Sequence, residues 1–168
     1  MTYEQLVELQ KKLDDRISER FTEVGEDEKL ICKVGSLFVE LAEVCNAAKI
    51  FKYWSSKTPN KGQVVEELAD MLHFFLSIAI QEGVELPWDF EPDASTYKIF
   101  THEERALAFY GVLTQMVYAS GQGFTEALEG AFIKFLVFVD CLGVDRADLE
   151  MAYLTKNEEN HRRQEEGY

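Results

Sequence analysis

Glu40 and Glu43 stand three residues apart, and Glu67 and Asp70 repeat that spacing further along the chain. Three residues is nearly one turn of an α-helix, so each pair projects from one side of its own helix. Two such pairs on neighbouring helices make a four-carboxylate cluster, and such oxygen-rich clusters suit hard divalent cations such as Mg²⁺. On a helical wheel Glu40 flanks the apolar stripe containing Leu37, and Phe74 projects between Glu67 and Asp70. Carboxylates beside apolar side chains are costly unless a cation compensates them. For a single E-x-x-E in an acidic chain, a solvated helix edge is the stronger reading. Two pairs on mostly apolar helices favour the metal. Glu66, four residues before Asp70, can face the same side. Asp70-x-x-His73 also has ligand spacing. A di-iron carboxylate bundle needs two Glu-x-x-His motifs, which this chain of three histidines does not supply, and His73 reads as a hydrogen-bonded core residue.

The connection between the acidic pairs differs in charge. From Val44 to Val65 there is no Asp or Glu, while Lys49, Lys52, Lys57 and Lys61 all fall there. Phe51, Tyr53 and Trp54 lie among them. Aromatic rings beside ammonium groups suit a nucleotide, ring against base and charge against phosphate. An ordinary loop with an aromatic anchor explains the stretch equally well. Near the end of the chain, Lys156, Asn160, Arg163 and Gly167 fall on one helical stripe, with Glu158, Glu159, Glu165 and Glu166 mostly elsewhere. Such a stripe can grip a polyphosphate and a sugar hydroxyl. A frayed, charged terminus is the competing reading.

These groups need a scaffold, and the composition supplies one. The chain has 168 residues, 46% of them hydrophobic and 29% charged, which fits a single globular domain over 1–168. Its formal net charge of −14 repels nucleic acid and anionic membrane surfaces, so neither is expected as a partner. Cys32, Cys45 and Cys141 show no paired spacing and read as reduced, buried thiols. No signal peptide or long apolar span stands out, so the expectation is a soluble, cytoplasmic protein.

Helical periodicity dominates. Leu6, Leu9, Leu13 and Ile17 line a first helix over about 3–20. A second, over about 28–53, carries Leu30, Val34, Leu37, Phe38, Leu41, Cys45 and Ala48. A third, over about 61–83, is apolar on nearly every side after Asp70 and must be central. Residues 84–101, with Pro87 and Pro92, read as a surface loop. Thr101 and Glu104 form a capping-box pattern for a fourth helix to about 119. Gly121 and Gly123 mark a break, a fifth helix stops at Gly143, and Asp145 caps a sixth. The fold class is all-α, a bundle of about six helices.

In this order, the motifs resemble the dimeric, all-α dUTP diphosphatases, relatives of the MazG-like nucleotide pyrophosphatases. LQKKLD (9–14) is similar to the family's first motif, ELAE (40–43) and EELAD (66–70) to its metal motifs, FKYWSSK (51–57) to the connection between them, and YLTKNEENHRRQEEGY (153–168) to its closing signature. The resemblance spans nearly the whole chain; from 84 to 125 it is one of helical pattern only. It implies Mg²⁺ bound by Glu40, Glu43, Glu67 and Asp70, which also carry catalysis. It implies that Gln10 contacts uracil and that Trp54, with Lys57 in the same motif, lies near the base or closes over the site. It implies that Lys156, Arg163 and Tyr168 hold phosphate oxygens, and that Asn160, with Asn157, contacts the deoxyribose. The implied reaction is hydrolysis of dUTP, and of dUDP, to dUMP by a homodimer. Two alternatives stay open: a MazG-like enzyme for another nucleotide such as dCTP, and a non-enzymatic helical interaction module.

Overall fold

In the computed structural model, helix α1 (Tyr3–Arg20) starts at a capping box: the Thr2 hydroxyl accepts from the Gln5 N–H, and the Gln5 side chain accepts from the Thr2 N–H. The structure describes residues 1–92, 101, 104, 106, 109–111, 113, 114, 117 and 122–167. The expected features at 93–100, at Gly121 and at Tyr168 lie outside these residues.

Helix α2 (Glu26–Ala47) opens with Glu26, Asp27 and Glu28, whose charges complement the helix dipole. It ends earlier than its apolar periodicity predicts. Lys49 adopts the left-handed backbone (φ 57°) and its ammonium donates to the Thr58 carbonyl at 2.8 Å, which turns the chain into a loop. Helix α3 (Lys61–Glu82) is capped by Asn60, whose side chain accepts from the N–H groups of Gly62 and Gln63, and it stops at left-handed Gly83. Thr101 and Glu104 exchange the two bonds of the expected capping box, at 2.8 and 3.3 Å, and described helical residues follow between 104 and 117. Helix α4 (Gln122–Cys141) precedes left-handed Gly143. Helix α5 (Arg146–Glu166) is capped by Asp145, which accepts from the Asp148 N–H at 2.7 Å.

The fold is all-α. Helix α3 is its axis, with Leu68, Ala69, Met71, Leu72, Phe75, Leu76 and Ile78 fully buried. It packs against α1, α2, α4 and α5. Phe75 meets Phe109, Phe132 and Phe135 at centroid distances of 5.3–6.4 Å, building an aromatic centre on the side away from the acidic pairs.

Two expectations are corrected. Residues 84–92 do not run over the surface: Val84, Leu86 and Trp88 are buried, and the Trp88 indole donates to the Met1 carbonyl at 3.1 Å. Arg146 stacks over the Trp88 ring at 4.2 Å and donates to the carbonyls of Trp88 and Phe90, so a cation from α5 holds the proline-bearing segment down. No disulfide joins the three cysteines, and of them only Cys45 is buried, while Cys32 is exposed. Among the described residues no helix is long and apolar enough to cross a membrane.

Asp145 caps the N-terminus of α5 with its side chain, and α5 carries several candidate site residues. Replacing it by alanine should cost about 1 kcal/mol and lower Tm by about 2–4 °C, measured by circular dichroism. An unchanged Tm would show that α5 is held by packing alone.

Candidate active site

Because α2 and α3 run side by side, their acidic turns meet. Glu40 from α2 and Glu67 and Asp70 from α3 each offer one oxygen, and these oxygens lie within 4.8 Å of one another. All three side chains are half-buried. Glu43 is exposed and stands outside this group, although its charge reaches both Glu40 and Glu67. The fourth expected ligand is therefore a neighbour of the cluster rather than part of it.

The electrostatics follow from the crowding. Burial pushes the Glu40 carboxyl up to about 7, reinforced by the charges of Asp70, Glu43 and Glu67. Burial likewise raises Glu67, with Glu43 adding to it. Asp70 is raised by burial but partly relieved by Lys156. Lys156 is only 8% exposed, and its ammonium lies 3.0 Å from both Glu66 and Asp70 and 3.9 Å from Glu159. Burial works against its charge, but the bonds and charges of Asp70 and Glu66 outweigh it and hold its pKa above the ordinary lysine value. Glu66 thus faces Lys156 rather than the other carboxylates. Half-buried, oxygen-only donors that repel one another fit a hard divalent cation. His73 is turned away: its Nδ1 lies 2.7 Å from Gln10 Oε1 and its ring stacks on Tyr153 at 4.2 Å. No histidine joins the cluster among the described residues.

A cavity of about 650 Å³ runs from the carboxylates along the groove between α1, α2 and α3. Glu40, Asp70, Asn160 and Arg163 line it together with Gln10, Asp14, Phe74 and Ser77. Gln10 is 3% exposed and fully engaged on its oxygen side, where Oε1 accepts from His73 Nδ1 and from the Tyr153 hydroxyl at 3.1 Å. Its amide nitrogen donates to Asp14 Oδ1 at 2.8 Å, and Ser77 donates to Asp14 Oδ2 at 2.7 Å. Burial raises the Asp14 pKa, and the bonds from Ser77 and Gln10 pull it back. Burial lowers His73 to about 3, so its ring is neutral at physiological pH.

The closing stripe is only partly as expected. Asn160 and Arg163 do reach the cavity, but Glu159 sits 2.6 Å from Arg163, so an acid shares the basic face. Asn157 is buried, and its amide nitrogen has no acceptor among the described residues. Trp54 and Lys57 do not line the cavity; both are exposed, Trp54 edge-on to Tyr53 at 5.0 Å. Sequence reasoning missed Asp14, Ser77 and Phe74 as cavity groups. Asp14 had a signal, since it lies one helical turn beyond Gln10 on the same face of α1. Ser77 had none, being one polar residue in an apolar run.

No match to the chain is found among curated proteins. The family model described as dUTPase matches residues 2–168, almost the entire chain. A metal-suited carboxylate cluster opening into a nucleoside-sized cavity is the chemistry a phosphoanhydride hydrolase requires, and by this match the chain belongs to the dUTPase family, whose members hydrolyse dUTP.

Proposed function

We propose that the protein hydrolyses dUTP, and also dUDP, to dUMP in a Mg²⁺-dependent reaction at the Glu40–Glu67–Asp70 cluster, with the whole of 1–168 acting as one catalytic domain. The observation that carries the proposal is the convergence of three repelling carboxylates, two of which line a cavity that a buried amide and an aromatic ring also line. Glu40, Glu67 and Asp70 would hold the metal, with Glu43 at its edge. When bound, the cation supplies charge neutralisation for the polyphosphate and acidifies water.

The remaining roles belong to the chain. Water attacks the β-phosphorus; its oxygen forms the new bond while the bond from that phosphorus to the bridging oxygen of the α-phosphate breaks. Glu40, in its ionised form, takes the proton. Arg163 and Lys156 face the negative charge that develops on the phosphate oxygens. For Lys156 this means exchanging Glu66 for phosphate. Tyr168 completes this phosphate grip. Asn160, lining the cavity, and Asn157, with its unpaired amide N–H, hold the sugar hydroxyl. Phe74 covers the face of the base.

The active form we propose is a cytoplasmic homodimer. Ile31, Gly35, Val39 and Ala42 lie exposed along one side of α2, a small and apolar stripe that a second copy would cover. Trp54 and Lys57, exposed and remote from the cavity of their own chain, would then serve the partner's. Sedimentation equilibrium should give twice the chain mass, and Val39→Lys should give the monomer with a loss of activity. A wild-type monomer with full activity would refute the dimer.

Two further outcomes follow from the site. Glu40→Gln should lower kcat on dUTP by about 10²–10⁴-fold, and Asp70→Asn should abolish turnover, with dCTP and dTTP assayed alongside. Equal wild-type rates on the three nucleotides would favour a broad MazG-like pyrophosphatase. Separately, Glu40 holds its proton to about pH 7 in the folded, metal-free protein against an ordinary 4.5. Its raised pKa means the folded state binds the extra proton, so this group's contribution to stability falls as pH rises from about 4.5 to 7. Mg²⁺ binding must expel that proton. Calorimetric titration at pH 6.5 in buffers of different ionisation enthalpy should show proton release that Glu40→Gln removes; buffer-independent heats would contradict the assignment.

A further inference from the structure

We infer that Glu159 makes the phosphate subsite selective for polyphosphate that carries its own divalent cation, by cancelling the charges of Lys156 and Arg163 against bare anions. This rests on the dUTP reading above, in which those two side chains face the phosphates. Glu159 lies three residues after Lys156 and four before Arg163, so it stands between them on one face of α5. Its Oε1 is 2.6 Å from Arg163 Nη2 and its Oε2 is 3.9 Å from Lys156 Nζ, one oxygen turned to each cation. Glu66 adds a second acid, 3.0 Å from Lys156. Two positive charges are thus matched by two negative ones before any carboxylate of the metal cluster is counted. Lys156 is buried, and Glu159 and Arg163 are half-buried, so water screens these pairs incompletely.

An ordinary anion site is built differently. A lysine and an arginine side by side grip phosphate through charge-assisted bonds. Without acids beside them, they would take inorganic phosphate, pyrophosphate or a free nucleotide alike. Here a bare anion meets cations that are already neutralised. It also meets Asp70, which Lys156 pairs at 3.0 Å, and Glu67 close by, so repulsion exceeds attraction. With a divalent cation on the phosphates, Glu40, Glu67 and Asp70 become ligands instead of repelling neighbours, and Lys156 can leave Asp70 for a phosphate oxygen. Glu159 and Glu66 line a second cavity, of about 520 Å³, and not the one lined by Asp70 and Arg163. Glu159 therefore need not move aside for the ligand. Arg163, with its several N–H donors, can hold Glu159 and a phosphate together.

Titration of inorganic pyrophosphate into the metal-free protein, in EDTA, tests the inference by its sign. Glu159→Gln keeps the size and a hydrogen-bonding oxygen but removes the charge. It should tighten pyrophosphate binding about tenfold relative to wild type. Loss of a merely structural contact would weaken binding or leave it unchanged. The gain should shrink as salt is raised. Glu66→Gln should act in the same direction through Lys156, whereas Glu8→Gln, which breaks a comparable pair with Lys12 on α1, should leave binding as it is. With Mg²⁺ present, Glu159→Gln should change KM for dUTP by a smaller factor than it changes the metal-free affinity. Three results overturn the inference while dUTP hydrolysis by the wild type stands: no tighter binding in Glu159→Gln, an equal gain in Glu8→Gln, or an equal effect with and without Mg²⁺. Wild-type protein that fails to hydrolyse dUTP with Mg²⁺ removes the underlying functional reading and the inference with it.

Discussion

Like-charge repulsion at the seam of α2 and α3 is the constraint around which this molecule is arranged. Oxygens of Glu40, Glu67 and Asp70 within 4.8 Å of one another, half out of water, cannot all be ionised cheaply without a cation. The protein alone relieves the strain in two ways. Glu40 keeps its proton up to about pH 7, and Asp70 takes the ammonium of Lys156. That ammonium comes from α5, so the docking of the last helix and the charge state of the cluster are one matter. A buried ion pair is a weak source of stability but a demanding one in geometry, and here it fixes how α5 meets α3.

A second polar assembly ties the same helices together without net repulsion. Gln10 on α1 meets His73 on α3 and Tyr153 on α5, and Tyr153 also donates to the Leu6 carbonyl at 3.3 Å. Gln10 Oε1, His73 Nδ1 and the Tyr153 hydroxyl satisfy one another there, whereas His73 Nε2 has no partner among the described residues. His73, neutral and stacked, works as a wedge that sets the rotamer of Gln10. The result is an amide with a defined direction inside an otherwise apolar interface, which is the requirement for reading the hydrogen-bonding edge of a small ligand.

Much of this was legible in the order of residues, and the reasons are local. Caps at Thr101 and Asp145, the stop at Gly143 and the all-round apolarity of α3 are short-range signals, and each appears where expected. Glu40, Glu67 and Asp70 converge because their spacing is a helical turn and their helices are neighbours. Non-local facts were not legible. The pairing of Lys156 with Glu66 joins residues 90 apart, and nothing in either segment announces it. Trp88 enters the core because Arg146 reaches across to it, while its proline neighbours read as surface. The early end of α2 depends on one lysine adopting a left-handed backbone, a choice that apolar periodicity does not encode.

The two halves of the site stand in opposite relations to stability. At the carboxylate end the bare fold resists its own charges, so removing one relieves repulsion. At the amide end, Gln10, His73 and Tyr153 join α1, α3 and α5, so altering them disturbs the fold. Drift in sequence would therefore meet different resistance at each end. Loss of the Gln10 network leaves buried donors and acceptors unsatisfied, at roughly 1–3 kcal/mol for each group. A carboxylate of the cluster can therefore be exchanged singly, whereas Gln10, Asp14 and Ser77 can change only through compensated exchanges.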